Sequence, residues 1–460
     1  MQTPKEIVLK QRCFFYNGNT LSISYRKEAL LKLKKSLEKH QDELIQAVYN
    51  DFKKSEYEVL LTEFAMLQLE IKNHLKNLYH WAKPQKVRAS ILNFPSSDFI
   101  YKQPYGVVLI ISPWNYPLLL ALQPMISAIA AGNCVILKPS EISVHTSKVL
   151  QKMISETFPQ EYISVIQGDV QKTTEILENK FDKIFFTGST SVGKIIQQKA
   201  AETLTPTVLE LGGKSPCVIN KSANLEIAAK RITFGKFVNA GQTCIAPDFI
   251  WIDETIKDKF IAILKQTIID FYGNEMQPNP DFPRIINQKQ FLRLEKYLSD
   301  GKIYFGGKTD AVDNYIQPTI LDDISFDDAI MQDEIFGPIL PILTFKNLAE
   351  VIEHNHQNEK PLAMYLFSTN ESEIKKFMTQ TQFGGGCIND VLSHIINDKV
   401  PFGGFGASGL GNYHGKFGFD TFVHFKTIVH RKNWFDFKIK YAPYAKKSQI
   451  IKKFLFRFLS

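Results

Sequence analysis

Apolar and polar positions are distributed in two distinct ways along this chain. Between Ser24 and Phe52, apolar residues recur at helical spacing among many charged residues, which predicts an amphipathic surface helix. Further along, short runs of consecutive apolar residues alternate with helical segments. This pattern is typical of a parallel sheet whose strands are buried on both faces. These runs are GVVLIIS (106–112), NCVILKP (133–139), YISVIQG (162–168) and KIFFTGS (183–189), then FIWI (249–252), KIYFGG (302–307) and MYLFS (364–368). Two α/β domains are the simplest fold that explains this pattern.

Two further segments have their own patterns. The stretch from Tyr116 to Leu137 is apolar enough to resemble a membrane span, but it contains two prolines, a glycine and two amide residues. We expect it to divide into a buried helix and a strand over Cys134 to Leu137. Residues 83–103 mix proline and serine with short β-prone runs and end in DFIYKQ, which predicts a hairpin.

Composition narrows the class of protein. A chain of 460 residues suggests two or three domains at about 150 residues each, and 44% hydrophobic with 22% charged residues is ordinary for a globular protein. The five cysteines are widely spaced without a C-x-x-C pair, so neither a disulfide framework nor a zinc site is indicated, and we expect no metal. The beginning, MQTPKEIVLKQRC, has no apolar core of a secretory signal. We therefore expect a cytoplasmic location.

The net charge of +8 is concentrated near the C-terminus. From Lys426 onward there are ten basic residues and one acid, Asp436, so this segment carries +9 and residues 1–425 sum to −1. A nucleic-acid-binding protein usually spreads its basic footprint across a folded face. We therefore expect no nucleic-acid partner.

The same segment ends in an amphipathic pattern. If residues 448–460 are helical, the apolar residues share one face and the basic residues lie elsewhere. The apolar face comprises Ile450, Ile451, Phe454, Leu455, Phe458 and Leu459. We hypothesise peripheral contact with an anionic membrane. The alternative is that the tail packs on a partner subunit or over the substrate entrance.

Two glycine-rich loops resemble nucleotide-binding motifs. Gly188 to Lys194 follows a predicted strand and opens a predicted helix, where main-chain N–H groups hold phosphates. Ile195 stands where an ATPase loop has its Mg²⁺-binding hydroxyl, which leaves a dinucleotide pyrophosphate or a plain turn as interpretations. Gly404 to Gly409 is a formal G-x-G-x-x-G without a preceding strand, so we expect flexible backbone that packs close to a ligand or a neighbouring chain.

Three polar residues are candidates for chemistry. Cys244 ends the small and amide-rich run FVNAGQTC, which suits a nucleophilic thiol, whereas the other cysteines are interpreted as buried hydrophobes. Glu210 lies between apolar residues before two glycines, where burial raises a carboxyl pKa toward that of a general base, although a solvated strand end is the alternative. Asn115, in SPWNYP, follows a buried strand and can donate to an oxyanion or form a turn.

These residues belong to a set of ordered motifs. The set comprises PWNYP with KPSE (138–141), FTGSTSVG, LELGGKSP, NAGQTC, EIFGP (334–338) and PFGGFGASGLG (401–411). In this order and spacing the chain resembles the NAD(P)-dependent aldehyde dehydrogenase superfamily from about Ser24 to Lys426. Its ending GNYHGKFGFDTFVHFK resembles the class 3 and fatty aldehyde branch.

The resemblance assigns roles residue by residue. Cys244 matches the nucleophile, Glu210 the general base and Asn115 the oxyanion donor. The expected cofactor-binding residues are Ser112, Trp114, Lys138, Ser140, Glu141, Gly188, Ser189, Val192, Gly193, Leu211, Glu334, Phe336 and Phe402. Lys138 and Glu141 match positions around the adenine ribose, and Glu334 matches the carboxylate at the nicotinamide ribose.

The resemblance also implies the fold, the partners and the chemistry. It implies a Rossmann-type NAD(P)-binding domain (1–82 and 104–210), an α/β catalytic domain (211–404), a β oligomerisation arm (83–103 and 405–430) and the basic tail (431–460). A homodimer would oxidise medium or long aliphatic or aromatic aldehydes to acids through a hydrolysed thioester, with NAD or NADP. The alternatives are a cysteine hydrolase, which would leave the glycine loop without a purpose, and a catalytically silent scaffold.

Overall fold

A computed structural model of the protein describes residues 2–458. The chain forms two compact units, one from residues 2–82 and 104–423 and the other from residues 83–103 and 424–458. The α-helices are α1 (Pro4–Tyr16), α2 (Ile23–Lys39), α3 (Gln41–Phe52), α4 (Glu56–Val59), α5 (Ala65–Ala82), α6 (Leu119–Ala131), α7 (Val144–Thr157), α8 (Val170–Leu177), α9 (Thr190–Ala201), α10 (Leu225–Phe237), α11 (Lys257–Tyr272), α12 (Gln288–Lys296), α13 (Ala329–Gln332), α14 (Leu348–Gln357), α15 (Glu371–Gln380), α16 (Gly415–Thr421) and α17 (Ser448–Phe458).

The strands divide among the two units. In chain order they are β1 (Gln85–Val87), β2 (Ser96–Pro104), β3 (Val107–Ile111), β4 (Cys134–Lys138), β5 (Ile163–Val165), β6 (Lys183–Thr187), β7 (Thr207–Glu210), β8 (Pro216–Ile219), β9 (Phe249–Asp253), β10 (Lys302–Phe305), β11 (Thr309–Asp310), β12 (Tyr315–Ile316), β13 (Thr319–Asp322), β14 (Ile339–Phe345), β15 (Ala363–Phe367), β16 (Gly385–Ile388), β17 (Gly409–Leu410) and β18 (Val423–Arg431).

The first sheet contains the first four of the predicted strands. Its order is β17-β7-β6-β3-β4-β5, and every pair is parallel except β17 with β7. Strands β3, β4 and β6 are buried at every position, which confirms the prediction from their unbroken apolar runs. From β3 the chain continues to β4 and β5 on one side of β3, and it then crosses to β6 on the other side. The carboxyl ends of β3 and β6 therefore flank the switch point where α/β sheets bind ligands.

The second sheet supplies the other half of the first unit. Its order is β10-β13-β14-β9-β8-β15-β16, parallel except for β10 with β13. The predicted runs FIWI, KIYFGG and MYLFS fall on β9, β10 and β15. β8 follows β7 closely, so the chain passes between the two sheets just after Glu210. A residue at that crossing can face both halves.

The amphipathic segment from Ser24 to Phe52 is two helices and not one. The chain breaks at His40, which lies between α2 and α3 with φ −100° and ψ 11°. His40 Nδ1 lies 2.9 Å from the Ser36 carbonyl oxygen and Nε2 lies 3.2 Å from the Glu156 carboxylate, and both oxygens are acceptors. These side-chain bonds hold the break, while Leu30, Leu44 and their apolar neighbours remain buried on one side as the spacing predicted.

The stretch from Tyr116 to Leu137 is a buried helix followed by a strand, as predicted. Every residue of α6 is buried, and its C-terminus ends at Gly132 with φ 97° before β4 begins. Within residues 2–458, no helix is long and apolar enough to cross a membrane.

The second unit is a three-stranded sheet with a C-terminal helix. Its strand order is β1-β2-β18, and β1 pairs antiparallel with β2 as the hairpin prediction required. The structure places residues 405–423 in the first unit, whereas the sequence expectation grouped them with the arm. The tail forms α17, in which Ile450, Ile451, Phe454 and Leu455 are exposed; the Phe458 side chain and Leu459 lie outside the described residues.

Candidate active site

The predicted site residues lie at the carboxyl ends of neighbouring strands. Ser112 follows β3, Lys138 ends β4, Gly188 follows β6 and Glu210 ends β7. Because these strands are parallel and adjacent, the ends meet at one edge of the first sheet. The main-chain N–H of Ser112 donates to the Lys138 carbonyl at 3.1 Å, so these two strand ends are in direct contact.

The loop between β6 and α9 presents a helix N-terminus at this edge. Ser189 caps α9 by accepting the Val192 main-chain N–H at 3.4 Å. Gly193 lies against Leu211, since a Cβ on Gly193 would come within 2.5 Å of that side chain. Glycine lets α9 approach the segment that follows β7, and a larger residue would displace the Leu211 side chain. The remaining free N–H groups of the first turn suit a phosphate.

The end of β4 places a charged pair beside the helix N-terminus. The Lys138 ammonium, which is buried, donates to the Glu141 carboxylate at 3.1 Å and to the Pro139 carbonyl at 2.9 Å. Glu141 is 41% exposed. Ser140 is buried, and its hydroxyl accepts the Ile142 main-chain N–H at 3.2 Å. An accessible carboxylate beside a fixed ammonium can bind sugar hydroxyls.

The segment before Cys244 has a strained backbone. Asn239, Ala240 and Gly241 have φ values of 57°, 52° and 75°, three consecutive residues in the left-handed region. A Cβ on Gly241 would come within 2.3 Å of the Gly337 carbonyl oxygen. Such a turn persists only where its surroundings impose it, and buried amide groups do so here.

Asn115 belongs to the network of buried amide groups that imposes this turn. Its Nδ2 donates to the Gln242 carbonyl at 3.0 Å, and the Asn239 Nδ2 donates to the Asn115 carbonyl at 2.8 Å. One residue later, the Tyr116 hydroxyl bonds the Thr243 hydroxyl at 2.7 Å. The structure therefore brings Asn115 and Cys244 together, because consecutive residues of the two loops are paired.

The Cys244 thiol is half-buried and lies near two carboxylates. Burial raises its pKa above the ordinary value, and repulsion from Glu334 and then Glu210 raises the pKa further. The main-chain N–H groups of Cys244 and Ile245 act in the opposite direction on the pKa by donating to the sulfur. Main-chain N–H groups beside a nucleophile can also hold the negative charge that develops when it adds to a carbonyl.

Glu210 is enclosed more completely than the sequence suggested. It is 3% exposed, neither of its carboxylate oxygens has a hydrogen-bond partner among residues 2–458, and burial raises its pKa well above the ordinary value. Glu334 lies across from Gly212, where a Cβ would come within 2.0 Å of its Oε2. Burial raises the pKa of Glu334 to about 8.

Several other buried polar atoms near this edge also lack protein partners. Within the described residues these include the Ser112 and Thr187 hydroxyls, the Glu210 carboxylate and Glu334 Oε1. Buried polar groups are normally hydrogen-bonded, so this concentration indicates a site for a polar ligand. The switch point, the α9 N-terminus and these groups fit a dinucleotide.

Aromatic side chains flank the other end of the site. The Trp114 and Phe336 rings meet edge to face with centroids 5.3 Å apart, which brings together two residues predicted to bind the cofactor. Phe402 is buried between two histidine rings, His414 at 5.1 Å and His394 at 5.9 Å. Burial lowers the pKa of His394 to about 4 and of His414 to about 3, so both rings are neutral near pH 7.

Sequence reasoning missed several residues that the structure places here. Tyr413 is fully buried, and the nearby Glu210 and Cys244 contribute to raising its pKa after burial itself. The buried Lys236 ammonium has no hydrogen-bond partner in the described part of the chain, and burial lowers its pKa to about 8. Tyr413 follows the quoted PFGGFGASGLG motif within two residues, so its proximity was available as a signal. Lys236 gave none.

The Gly404 to Gly409 segment packs against the backbone of its own chain, and the expected contact with a ligand or a neighbouring chain stays a prediction. Gly409 begins β17, which pairs with β7, and the Ser408 carbonyl accepts the Leu211 main-chain N–H at 3.1 Å. A Cβ on Gly404 would come within 2.1 Å of the Ser408 carbonyl oxygen. The motif therefore closes the sheet beside Glu210 and is not a phosphate loop.

Comparisons with known proteins agree with this geometry. Residues 14–428 match the Aldehyde dehydrogenase family. The 4,4'-diaponeurosporen-aldehyde dehydrogenase of Staphylococcus aureus is 46% identical over 96% of this chain and 97% of its own length. Aldehyde dehydrogenase family 3 member A2 of Pongo abelii is 45% identical, covering 91% and 86% of the two chains.

A solved structure extends the likeness to three dimensions. The substrate-bound state of Staphylococcus aureus AldH superposes with a TM-score of 0.97 at 44% identity, over 99% of this chain and all of that one. The resemblance read from the motifs and the predicted fold class are confirmed. The chain belongs to the aldehyde dehydrogenase family and is an NAD(P)⁺-dependent oxidoreductase of aldehydes.

Proposed function

We propose that this chain oxidises aldehydes to carboxylic acids through a thioester on Cys244. One observation carries the proposal: the Cys244 thiol lies close enough to Glu210 and Glu334 that both carboxylates raise its pKa, while two main-chain N–H groups donate to its sulfur. A thiol, a carboxylate and oxyanion donors in one buried place are the groups that acyl chemistry with water requires.

The first steps use the Cys244 and Asn115 loops. The Cys244 thiolate adds to the aldehyde carbon, forming a C–S bond and moving the carbonyl electrons onto oxygen. The Asn115 amide and the Cys244 main-chain N–H hold that oxyanion. Ser112, Lys138, Glu141, the α9 N-terminus and Glu334 would hold NAD(P)⁺, and the bound cofactor would accept the hydride from the aldehyde carbon. A thioester on Cys244 results.

Glu210 then assists hydrolysis. Its carboxylate takes a proton from water, the water oxygen attacks the thioester carbon, and the C–S bond breaks to return the Cys244 thiolate. The overall balance is one aldehyde, one water and one NAD(P)⁺ giving one acid, one NAD(P)H and one proton beyond that of the acid group. The high pKa of Glu210 means that this step speeds up with rising pH.

Removal of the thiol tests the proposal. Cys244→Ala should abolish aldehyde-dependent NADH formation and leave the dissociation constant for NAD⁺ unchanged, because the cofactor is held by other residues. Cys13→Ala is the matched control and should keep full activity. Cys13 lies at an exposed position on α1, so its interpretation from the sequence as a buried hydrophobe was wrong. Turnover by Cys244→Ala would disprove the assignment, and hydrolysis of esters without any aldehyde oxidation would favour a cysteine hydrolase.

We infer that the substrates are medium or long aliphatic or aromatic aldehydes. A surface cleft lies between α10 and the segment 390–396, with Phe234, Leu392 and Ile396 among its apolar lining. Val391 packs against Gly235, and the His394 ring lies 6.0 Å from Tyr365, whose hydroxyl donates to the Ile245 carbonyl next to Cys244. The apolar part of this cleft, which Lys230, Arg231 and Asp390 also line, favours apolar chains, and the Staphylococcus aureus relative is named for a diaponeurosporen aldehyde.

Steady-state kinetics over a chain-length series test the substrate class. We expect kcat/KM to rise with chain length, and Ile396→Ser to reduce it for long aldehydes but not for propanal. Ile303→Ser, at an exposed position on β10, is the control because it removes a similar side chain elsewhere. A flat dependence on chain length would reject the inference.

The ion pair of Lys138 with Glu141 favours NAD⁺ over NADP⁺ in this proposal. The Glu141 carboxylate is accessible and can accept ribose hydroxyls, whereas a 2′-phosphate would meet its negative charge. Glu141→Gln should therefore improve kcat/KM for NADP⁺ relative to NAD⁺. An unchanged ratio of the two would leave Lys138 as the determinant and reject this preference.

We also propose that the second unit makes a homodimer. The unit exposes an apolar set that is large for a free surface: Ile91, Leu92, Phe94, Phe425, Ile428 and Val429. Sedimentation equilibrium should give twice the chain mass, and Phe425→Glu with Val429→Glu should give the single mass. A wild-type monomer would reject the proposal.

Peripheral membrane contact through α17 is the remaining proposal. The helix exposes Ile450, Ile451, Phe454 and Leu455 within a segment that carries +9. Such a helix suits the surface of an anionic bilayer. The full chain should sediment with phosphatidylglycerol vesicles and a truncation after Lys447 should not. Equal partitioning of the two chains would reject it, and a dimer that dissociates on truncation would show that the helix packs on a partner subunit.

A further inference from the structure

A buried carboxylate that takes no part in the proposed chemistry lies behind the nucleophile loop. Glu58 belongs to α4, immediately before a π-helical turn over Leu60–Phe64, and it is 9% exposed. Single π-turns inside helices often occur at functional sites. Burial raises the pKa of Glu58 to about 7, so the fold bears a cost for placing this acid where it is.

The partner of Glu58 is the strained turn before Cys244. Glu58 Oε1 accepts the main-chain N–H of Asn239 at 2.7 Å, a short bond that is buried. Asn239 is the first of the three residues with left-handed φ. A carboxylate bond to this N–H fixes the point at which the chain enters the turn, and it offsets part of the strain of the turn.

Asn239 passes that constraint to the site. Its Nδ2 donates to two carbonyls, that of Asn115 at 2.8 Å and that of Gln242 at 3.0 Å. The Asn115 Nδ2 donates to the same Gln242 carbonyl at 3.0 Å. Asn239 therefore fixes the distance between the Asn115 loop and the chain leading to Cys244. Glu58 in turn holds Asn239 in place.

The groups around Glu58 hold it in place from several elements. Lys54, just before α4, donates to Glu63 in the π-turn at 3.1 Å, and its charge lowers the pKa of Glu58. Glu63 Oε2 accepts the main-chain N–H groups of Leu118 and Leu119 at 2.9 and 3.1 Å, which ties the same helix to the start of α6. Asp281 and Glu63 add negative charge, and the Tyr116 ring lies under the Lys54 ammonium at 4.1 Å.

We propose that Glu58 is a positioning residue for the nucleophile: by accepting the Asn239 main-chain N–H, it sets the distance between Cys244 and the Asn115 amide. The inference rests on the proposed role of Cys244. A displacement of about 1 Å in such a constellation costs roughly 10- to 100-fold in rate.

Two substitutions separate the reach of this side chain from its charge. Glu58→Asp keeps the charge but withdraws the carboxylate by about 1.5 Å, one C–C bond, so the bond to Asn239 is lost. Glu58→Gln keeps an oxygen at the same reach and loses the charge. We expect Glu58→Asp to lower kcat about 10- to 100-fold, with KM for NAD⁺ unchanged, and Glu58→Gln to stay within about threefold of wild type at pH 8.

Alkylation of Cys244 by iodoacetamide, followed on its peptide by mass spectrometry, gives a readout independent of turnover. It should slow in Glu58→Asp and not in Glu58→Gln. Asp169→Ala is the control, because Asp169 also accepts a main-chain N–H, that of Lys172 at 3.0 Å, but at the start of α8. It should lower the melting temperature and leave alkylation unchanged.

The opposite order, with Glu58→Gln slow and Glu58→Asp normal, would replace positioning by a charge effect and overturn the proposal. Loss of stability in both variants without any change in alkylation or kcat would overturn it as well. If Glu58→Asp does not fold, a slow Glu58→Gln alone refutes the proposal. Cys244→Ala separates the two proposals. Turnover in that variant would refute the proposed function, whatever result the Glu58 variants give.

Discussion

Single residues at this site are held in states that they would not adopt in water. Glu210 is the clearest example, because burial without any hydrogen-bond partner among residues 2–458 favours its protonated form. A general base with a raised pKa gains activity as the pH rises toward that pKa. The hydrolytic half of the reaction should therefore limit turnover at low pH.

Glu210→Gln tests that step. The variant should form the thioester in a single burst of NADH, one per site, and then turn over slowly, because its amide cannot take a proton from water. We expect steady-state kcat to fall about 100-fold or more and the pH dependence of the residual rate to flatten. Rapid-mixing fluorescence of NADH measures both phases.

The contrary outcome is a variant without a burst. It would show that Glu210 acts before hydride transfer, by taking the proton of the Cys244 thiol. Acid-quench mass spectrometry of the Cys244 peptide distinguishes the two, since the acyl group accumulates only in the first case.

Gly212 is a second residue whose identity is decided by one neighbour. Its Cβ position is 2.0 Å from Glu334 Oε2, the far end of a flexible side chain, so Gly212→Ala should fold but displace that carboxylate. We expect the dissociation constant for NAD⁺ to rise about 10-fold, corresponding to about 1.4 kcal/mol. Calorimetric titration measures it.

Glu334→Gln supplies the comparison for Gly212→Ala. If both substitutions act through the same carboxylate, the double variant should bind NAD⁺ no more weakly than the weaker single variant. Additive losses would contradict a shared mechanism and would place the effect of Gly212→Ala in the backbone.

Elements are held by buried polar groups as much as by apolar faces. The Arg26 guanidinium, on α2, donates to the carbonyls of Thr20, Leu21 and Ala130 at 2.8, 3.1 and 3.3 Å, and thereby caps the C-terminus of α6. It is 5% exposed, and burial lowers its pKa to about 10. Gly132 is required beside it, because a Cβ there would lie 2.6 Å from the guanidinium.

Arg26→Lys should destabilise the fold by about 2–4 kcal/mol. A lysine ammonium cannot reach three separated carbonyls from this position, so some are left buried without donors. Urea unfolding followed by circular dichroism measures the loss. Arg88→Lys, at an exposed position in the second unit, should change stability by less than about 0.5 kcal/mol. Equal effects of the two substitutions would show that the cap contributes nothing.

The elements that the sequence predicts well are those buried along their whole length. Strands β3, β4 and β6 were predicted within a residue or two, and α6 lies inside the stretch predicted to contain a buried helix, because an unbroken apolar run has few alternatives. The break at His40 was not predicted, since the apolar spacing continues through it and the bonds that hold it come from side chains. Local pattern does not encode such a break.

The site was predictable only where motifs name it. Cys244, Glu210 and Asn115 stand in recognisable segments, and the structure brings them together. Glu58 and Asn239 are 181 residues apart in the chain, and only the packing of α4 against the turn makes their bond. Lys236 likewise looks like an ordinary helical lysine until burial removes its partners. Polar groups acquire these roles from long-range packing.

At the scale of the whole molecule, these buried acids make folding depend on pH. The pKa of Glu58 is about 7 in the folded chain against 4.5 in the unfolded one. Between these values the folded state binds more protons than the unfolded state, so the contribution of Glu58 to stability is fully present below 4.5 and is lost as pH rises through 7. Other acids that titrate in the same range add their own slopes.

Glu58→Gln isolates the contribution of this one acid, since the amide does not titrate. Relative to wild type, the variant should gain stability as pH rises from 5 to 8, by on the order of 3 kcal/mol for a pKa raised from 4.5 to about 7. Urea unfolding of both chains at several pH values gives the difference directly. Parallel curves for the two chains would mean that Lys54 neutralises Glu58 fully, in which case the acid is ionised at every pH tested and folding bears no proton-linked cost for it.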